Sequence, residues 1–189
     1  MSCIRFLAVL AVLPLAGGCV RHYTPEASRP FEPITEFSST NSVDLLNGQP
    51  STKQVRLGAA RIDGNFNAWT GVAIEIAARE LKKRNLTIVG GAPRSITMSI
   101  ESANYDVGMV ELQCEVSMRV KTSDGYSAVY IGQNRSFMAA IPGYLIDGAM
   151  MRVVHEMFQD PRIVAFLTQP DGATPVETSP APPGDAGRT

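Results

Sequence analysis

The sequence predicts an α+β domain, a two-layer sandwich with helices on one face of a mostly antiparallel sheet. Three observations carry this. The stretch 110–121 alternates apolar and polar side chains without a break, the mark of a strand with one buried and one wet face. Two longer segments, near 67–85 and 142–159, repeat apolar residues at helical spacing. The balance of 44% hydrophobic and 19% charged residues over 189 positions is globular, which excludes wholesale disorder. A formal net charge of −1 leaves no basic surplus for nucleic acid, and two histidines with three cysteines leave little for a metal site. Neither a nucleic-acid partner nor a cofactor is expected.

The elements follow in order β-α-β-β-β-α-α. Gln54–Ile62 alternates Val55, Leu57 and Ala59 with Arg56 and Gly58, and reads as a strand that Asp63-Gly64-Asn65 breaks. Asn67 is the expected N-cap of a helix to about Asn85, with Trp69, Val72, Ala73, Ile76 and Ala77 on its apolar face. Lys82-Lys83-Arg84 fall in its last turn, where they complement the helix dipole or hold a phosphate or lipid headgroup. Gly90–Pro93 is a turn, and Arg94–Tyr105 a strand facing inward through Ile96, Met98 and Ile100. In the next strand Val110, Leu112, Cys114, Val116, Met118 and Val120 face one way. Ser123-Asp124-Gly125 closes a hairpin onto a return strand, Tyr126–Phe137. A helix from Pro142 or Gly143 to Gln159 carries two adjacent apolar stripes, begun by Leu145 and Ile146. Asp160-Pro161 then caps a short helix through Leu167.

Four segments result. Residues 1–18 read as a signal peptide, 19–52 as a Pro-rich tether, 53–168 as the folded domain and 169–189 as a disordered Pro-rich tail. Within the tether, 42–46 is either a short strand or a docking segment, and Asn47-Gly48 marks a turn. Arg5 followed by the ten-residue apolar run Phe6–Leu15 forms the signal's n- and h-regions. Leu15-Ala16-Gly17-Gly18-Cys19 resembles the bacterial lipobox, with Ala16 standing where Leu is usual. That resemblance implies cleavage between Gly18 and Cys19, acylation of Cys19 and attachment to the membrane through those acyl chains. Two acyl chains suffice for stable anchoring. Val20 stands where inner-membrane retention in enteric-type systems calls for Asp, so the resemblance implies the periplasmic face of the outer membrane. The alternative is an ordinary signal peptide with Cys19 incidental. The mature chain of 171 residues keeps Cys114 as its one unacylated cysteine, so no intramolecular disulfide forms.

Trp69-Thr70, Glu80-Leu-Lys-Lys-Arg84, the strand around Cys114 and the ending Phe158–Leu167 resemble small lipoproteins of the YajG type across about 40–168. The resemblance implies a location and a fold, without a defined activity.

Chemistry is sparse. Gly-x-Ser-x-Gly, a Walker loop, paired zinc histidines and CxxC are absent from the sequence. His22 reads as solvated and His155 as helical without a metal partner. Cys114 is expected to be a buried, inert thiol rather than a redox group. Glu111 and Glu115 lie on one strand's wet face, unlike a glycosidase pair. The seven mature methionines fill the core or line a lipid groove. The expectation is a non-enzymatic binding or scaffold module with an envelope protein partner. The alternatives are an auxiliary lipoprotein of a lipid or lipopolysaccharide transport system, and an envelope hydrolase.

Overall fold

The computed structural model describes residues 21–27, 33–50, 54–57, 62–137 and 142–170. Eight strands and three helices occur among them: β1 (Arg21–His22), β2 (Ser42–Asn47), β3 (Gln54–Leu57), β4 (Ile62–Asn65), α1 (Phe66–Lys83), β5 (Thr87–Ile88), β6 (Ser95–Val107), β7 (Glu111–Thr122), β8 (Ser127–Phe137), α2 (Pro142–Gln159) and α3 (Pro161–Thr168). The fold is α+β. Its main sheet has order β5-β2-β6-β7-β8, and a small second sheet has order β1-β4-β3. The long pairings β6–β7 and β7–β8 are antiparallel, whereas β2 runs parallel to both β5 and β6.

The core lies between the inner face of the main sheet and the helices. Ile96, Met98 and Ile100 of β6 face it, beside Cys114, Val116 and Met118 of β7. A bulge at Glu101 shifts the β6–β7 register. It moves β6 from even to odd inward positions, so Ala103 and Tyr105 stay on the buried side. Val110, expected inside, sits in the β6–β7 turn and is exposed; Thr122 closes the buried row instead. The alternation ran on into the turn because Val110 happened to have the right parity.

α1 buries Phe66, Trp69, Ala73, Ile76, Ala77 and Leu81. Its N-cap is Asn65, not Asn67: the Asn65 side chain accepts from the N–H of Asn67 (2.9 Å) and Ala68 (3.4 Å). Phe66 packs against Trp69 at 5.9 Å between ring centroids, which draws the first turn back by two residues. At the other end Asn85 adopts φ 65°, with its N–H bonded to Lys82 O and that of Leu86 to Leu81 O. This is a Schellman closure made with asparagine.

The strand expected over Gln54–Ile62 is a hairpin. β3 pairs antiparallel with β4, Gln54 opposite Asn65 and Leu57 opposite Ile62. Asp63-Gly64-Asn65 continues β4 rather than breaking it. A Cβ at Gly64 would lie 2.7 Å from the Trp69 ring, so this glycine serves close packing.

Among the described residues, part of the segment read as a tether packs on the domain. Val43 of β2 is fully buried in the main sheet, Ile34 joins the core, and Phe37 lies 6.2 Å from Phe158. Prolines and serines signalled missing regular structure, which does not mean missing contact. Residues 171–189 of the expected tail, and the signal with Gly18 and Cys19, lie outside the described residues. Among the described residues no helix is long and apolar enough to cross a membrane.

Candidate interaction surface

α2 lies over β7 and β8, running antiparallel to β8. Its contact with β8 is backbone on backbone. A Cβ at Gly132 would come within 2.2 Å of Ala149 O and 2.4 Å of Val153 N. The helix flank uses the same device at Gly148, against the Asn134 side chain. β8 is thus covered on its inner face and paired with β7 on one side. Among the described residues no strand pairs with its other side, which is the edge of the sheet.

The ladder register assigns the free groups. The Thr122 N–H bonds Tyr126 O at 2.9 Å, which makes that pair hydrogen-bonded. Alternate pairs follow suit along the antiparallel ladder, as at Val120–Ala128 and Met118–Tyr130. Ser127, Val129, Ile131, Gln133, Arg135 and Phe137 therefore point their N–H and C=O toward the open edge. The same residues carry side chains on the uncovered face, including Val129 at 41% and Ile131 at 52% exposure. The return strand expected over Tyr126–Phe137 is thus the long edge of the main sheet.

β8 is anchored at its start. Tyr126 and Tyr130 both donate to Asp160 Oδ2 at 2.6 Å, while Asp160 Oδ1 accepts from Arg162 N–H at 2.8 Å as the α3 cap. Burial pushes the Asp160 carboxyl up. The hydrogen bonds from both tyrosines and the Arg162 N–H, with the Arg162 charge, outweigh it and hold the group below its ordinary value. Burial first, and the bond to Asp160 second, push both phenols up. An open groove of about 920 Å³ adjoins this corner, lined among others by Asp124, Tyr126, Arg162 and Phe166.

Most of the remaining candidates are engaged within the fold. Cys114 is fully buried, and burial, then the Glu115 charge, push its thiol up to about 12. Glu115 accepts from Gln133 at 2.7 Å, and Glu111 lies 3.9 Å from Arg135, so each carboxylate faces its own β8 partner. Lys83 (2.7 Å) and Arg84 (3.3 Å) converge on the buried Glu80, and the Arg84 guanidinium also covers Phe37. Lys83 and Arg84 of the basic cluster are thus held by an internal carboxylate. His155 Nε2 lies 3.0 Å from Pro33 O, and its Nδ1 lies 3.7 Å from Glu156. His22 is exposed. Among the described residues no three His, Cys, Asp or Glu side chains gather as a metal site would need.

Sequence reasoning missed Asp147. It is buried in α2 and accepts from Tyr23 Oη (2.7 Å) and Glu26 N–H (2.9 Å), tying the N-terminal segment to the helix. The signal was one acidic residue beside the Ile146 stripe, three positions before Met150.

No protein-family model matches the chain, and no curated protein does. Among solved structures, a protein of the DUF330 family model from Xanthomonas campestris matches with TM-score 0.48 at 8% identity, over 77% of this chain and 94% of that one. A hypothetical protein from Chlamydia trachomatis matches at 0.41 and 11%, over 68% and 98%. A lipoprotein from Neisseria meningitidis matches at 0.33 and 10%, over 56% and 90%. The functional reading rests on the chain's own residues.

Proposed function

We propose that this protein is a non-enzymatic module, acyl-anchored at Cys19 to the periplasmic face of the outer membrane, that binds another envelope protein along β8. The observation that carries the binding surface is the open edge of that eleven-residue strand, with alternate backbone groups unpaired by β7 and apolar side chains beside them. An extended segment of a partner adds to such an edge through main-chain bonds, and pockets for alternate side chains supply selectivity. The Leu15–Cys19 pattern and the YajG-type resemblance support the location. The auxiliary transport reading, in its form with an acyl chain between sheet and helices, is disfavoured by the backbone contact at Gly132.

Val129→Pro tests the surface. The Val129 N–H points outward, so proline removes a donor from the edge and none from the β7 ladder. The expected result is a folded protein, by circular-dichroism melt, that no longer retains its envelope partner in a pull-down. Val129→Thr keeps the N–H and should retain the partner. A folded Val129→Pro variant that keeps every partner rejects the β8 edge. Separately, Cys19→Ser should abolish lipid labelling and release the chain from membranes.

A further inference from the structure

The long antiparallel sheet ends, on the side of the β6–β7 turn, in uncovered apolar side chains. Met109 is 95% exposed, Val110 69% and Phe137 80%, and Val107 is also exposed. Register joins them: Phe137 is opposite Glu111, and Val107 opposite Leu112. Such exposure at one end of a domain marks an interaction site.

The N-terminal segment arrives at that same end. Asn134 of β8 donates to Tyr144 O at 3.3 Å, which sets the start of α2 level with Cys114 on β7. Tyr23 packs on that start: its ring lies against Gly143, its hydroxyl donates to Asp147, and its carbonyl accepts from Trp69 Nε1 at 2.9 Å. Arg21 and His22 pair with β4 just before it. Cys19 is two residues upstream, a reach of at most about 7 Å. Met109 lies five strand residues beyond Cys114, so the turn projects about 15 Å past the level of Tyr23.

We infer that the β6–β7 turn, with Phe137, enters the surface of the phospholipid leaflet that holds the Cys19 acyl chains. This rests on the anchored reading above. An acylated cysteine two residues before a fixed strand leaves no slack to hold the domain away from the bilayer. The end it brings down is the one with the exposed apolar side chains. Asp106 and Glu111 bound the uncharged run Val107-Gly-Met-Val110 and limit the depth of entry. A shallow position at the headgroup boundary follows.

The test uses the full acylated chain in phosphatidylethanolamine–phosphatidylglycerol vesicles. Met109→Cys and Lys121→Cys each receive an environment-sensitive fluorophore. Lys121 is exposed near the opposite end of β7, and buried Cys114 leaves each new thiol as the labelling site. The label at 109 should shift to the blue and be quenched several-fold more by lipid-borne quenchers than the label at 121. Equal access of both labels to aqueous iodide, on vesicles that still float with protein, overturns the insertion alone. Shielding at 109 that grows with protein density and without lipid quenching assigns the turn to a second copy instead, and also overturns it. A wild-type chain that does not float and takes label at Cys19 removes the anchored reading, and the insertion with it.

Discussion

The β6–β7 hairpin turns on Gly108-Met-Val110 and leaves both apolar side chains in solvent, whereas the β7–β8 hairpin turns on Ser123-Asp-Gly125 and is knit by its own polar groups. Asp124 accepts from the Thr122 hydroxyl and, at 3.2 Å, from the Tyr126 N–H. Gly125 takes φ 95°, which favours glycine. Beside it Asp160 ties Tyr126 and Tyr130 to α3. One end of the sheet is therefore sealed by side-chain hydrogen bonds. The other is closed by a backbone turn bond from Gly108 N–H to Glu111 O at 2.9 Å, with apolar side chains pointing outward. A turn built for stability satisfies its polar atoms, and a turn that exposes Met109 and Val110 gains nothing from them in water. The difference places the side-chain hydrogen bonds at one end and the exposed apolar side chains at the other.

That contrast can be broken from the middle outward. Gly132 lies between the two ends and sets the distance from β8 to α2. Gly132→Ala must displace the α2 backbone, and should cost about 4 kcal/mol or abolish folding. A denaturant titration showing a loss below about 1 kcal/mol would mean that α2 can lift from β8 freely.

The sealed end comes next. Asp160→Ala removes a helix cap and two tyrosine bonds to a carboxylate, and should cost about 3 kcal/mol. Because the folded-state pKa of Asp160 is depressed, its stabilisation is full above the unfolded value. It is lost as pH falls through the folded one. The stability difference between wild type and Asp160→Asn should therefore shrink below about pH 4. A difference that grows on acidification would reverse the assigned direction.

Cys114 reports on the layer common to both ends. It should resist thiol reagents at pH 8 until denaturant is added, since few thiolates form there and the side chain is buried. Cys114→Ser should cost about 1–3 kcal/mol. Rapid native labelling would show that the β7 face opens.

The smallest effect belongs to the open end. Met109→Ser should change stability by less than about 0.5 kcal/mol, as expected of an exposed side chain. Under the same melt Asp124→Ala should cost about 1 kcal/mol through its lost turn bonds. Equal losses at the two hairpins would erase the distinction drawn between them.

Local patterns determined much of this molecule. Alternation placed the buried row from Leu112 to Val120, helical spacing placed both stripes of α2, and Asp160-Pro161 announced α3. These features depend on neighbours within a turn or a strand pair, which the order of residues encodes directly. The expected processing signal at Leu15–Cys19 rests on the same kind of linear pattern and lies outside the described residues. Tertiary structure decided the rest. The pairing of β3 with β4 was hidden because apolar residues keep recurring at alternate positions from Val55 to Ala59, as in one strand. The Glu101 bulge changed strand parity through pairing with β7. β2 joined the sheet through a parallel partner fifty residues away, and Tyr23 was held by Asp147 of α2. Above all, the edge status of β8 depends on which strands fail to pair, and no residue on β8 records that. Pairing between distant segments is set by the summed burial of both, so a single segment's pattern leaves the choice of partner open.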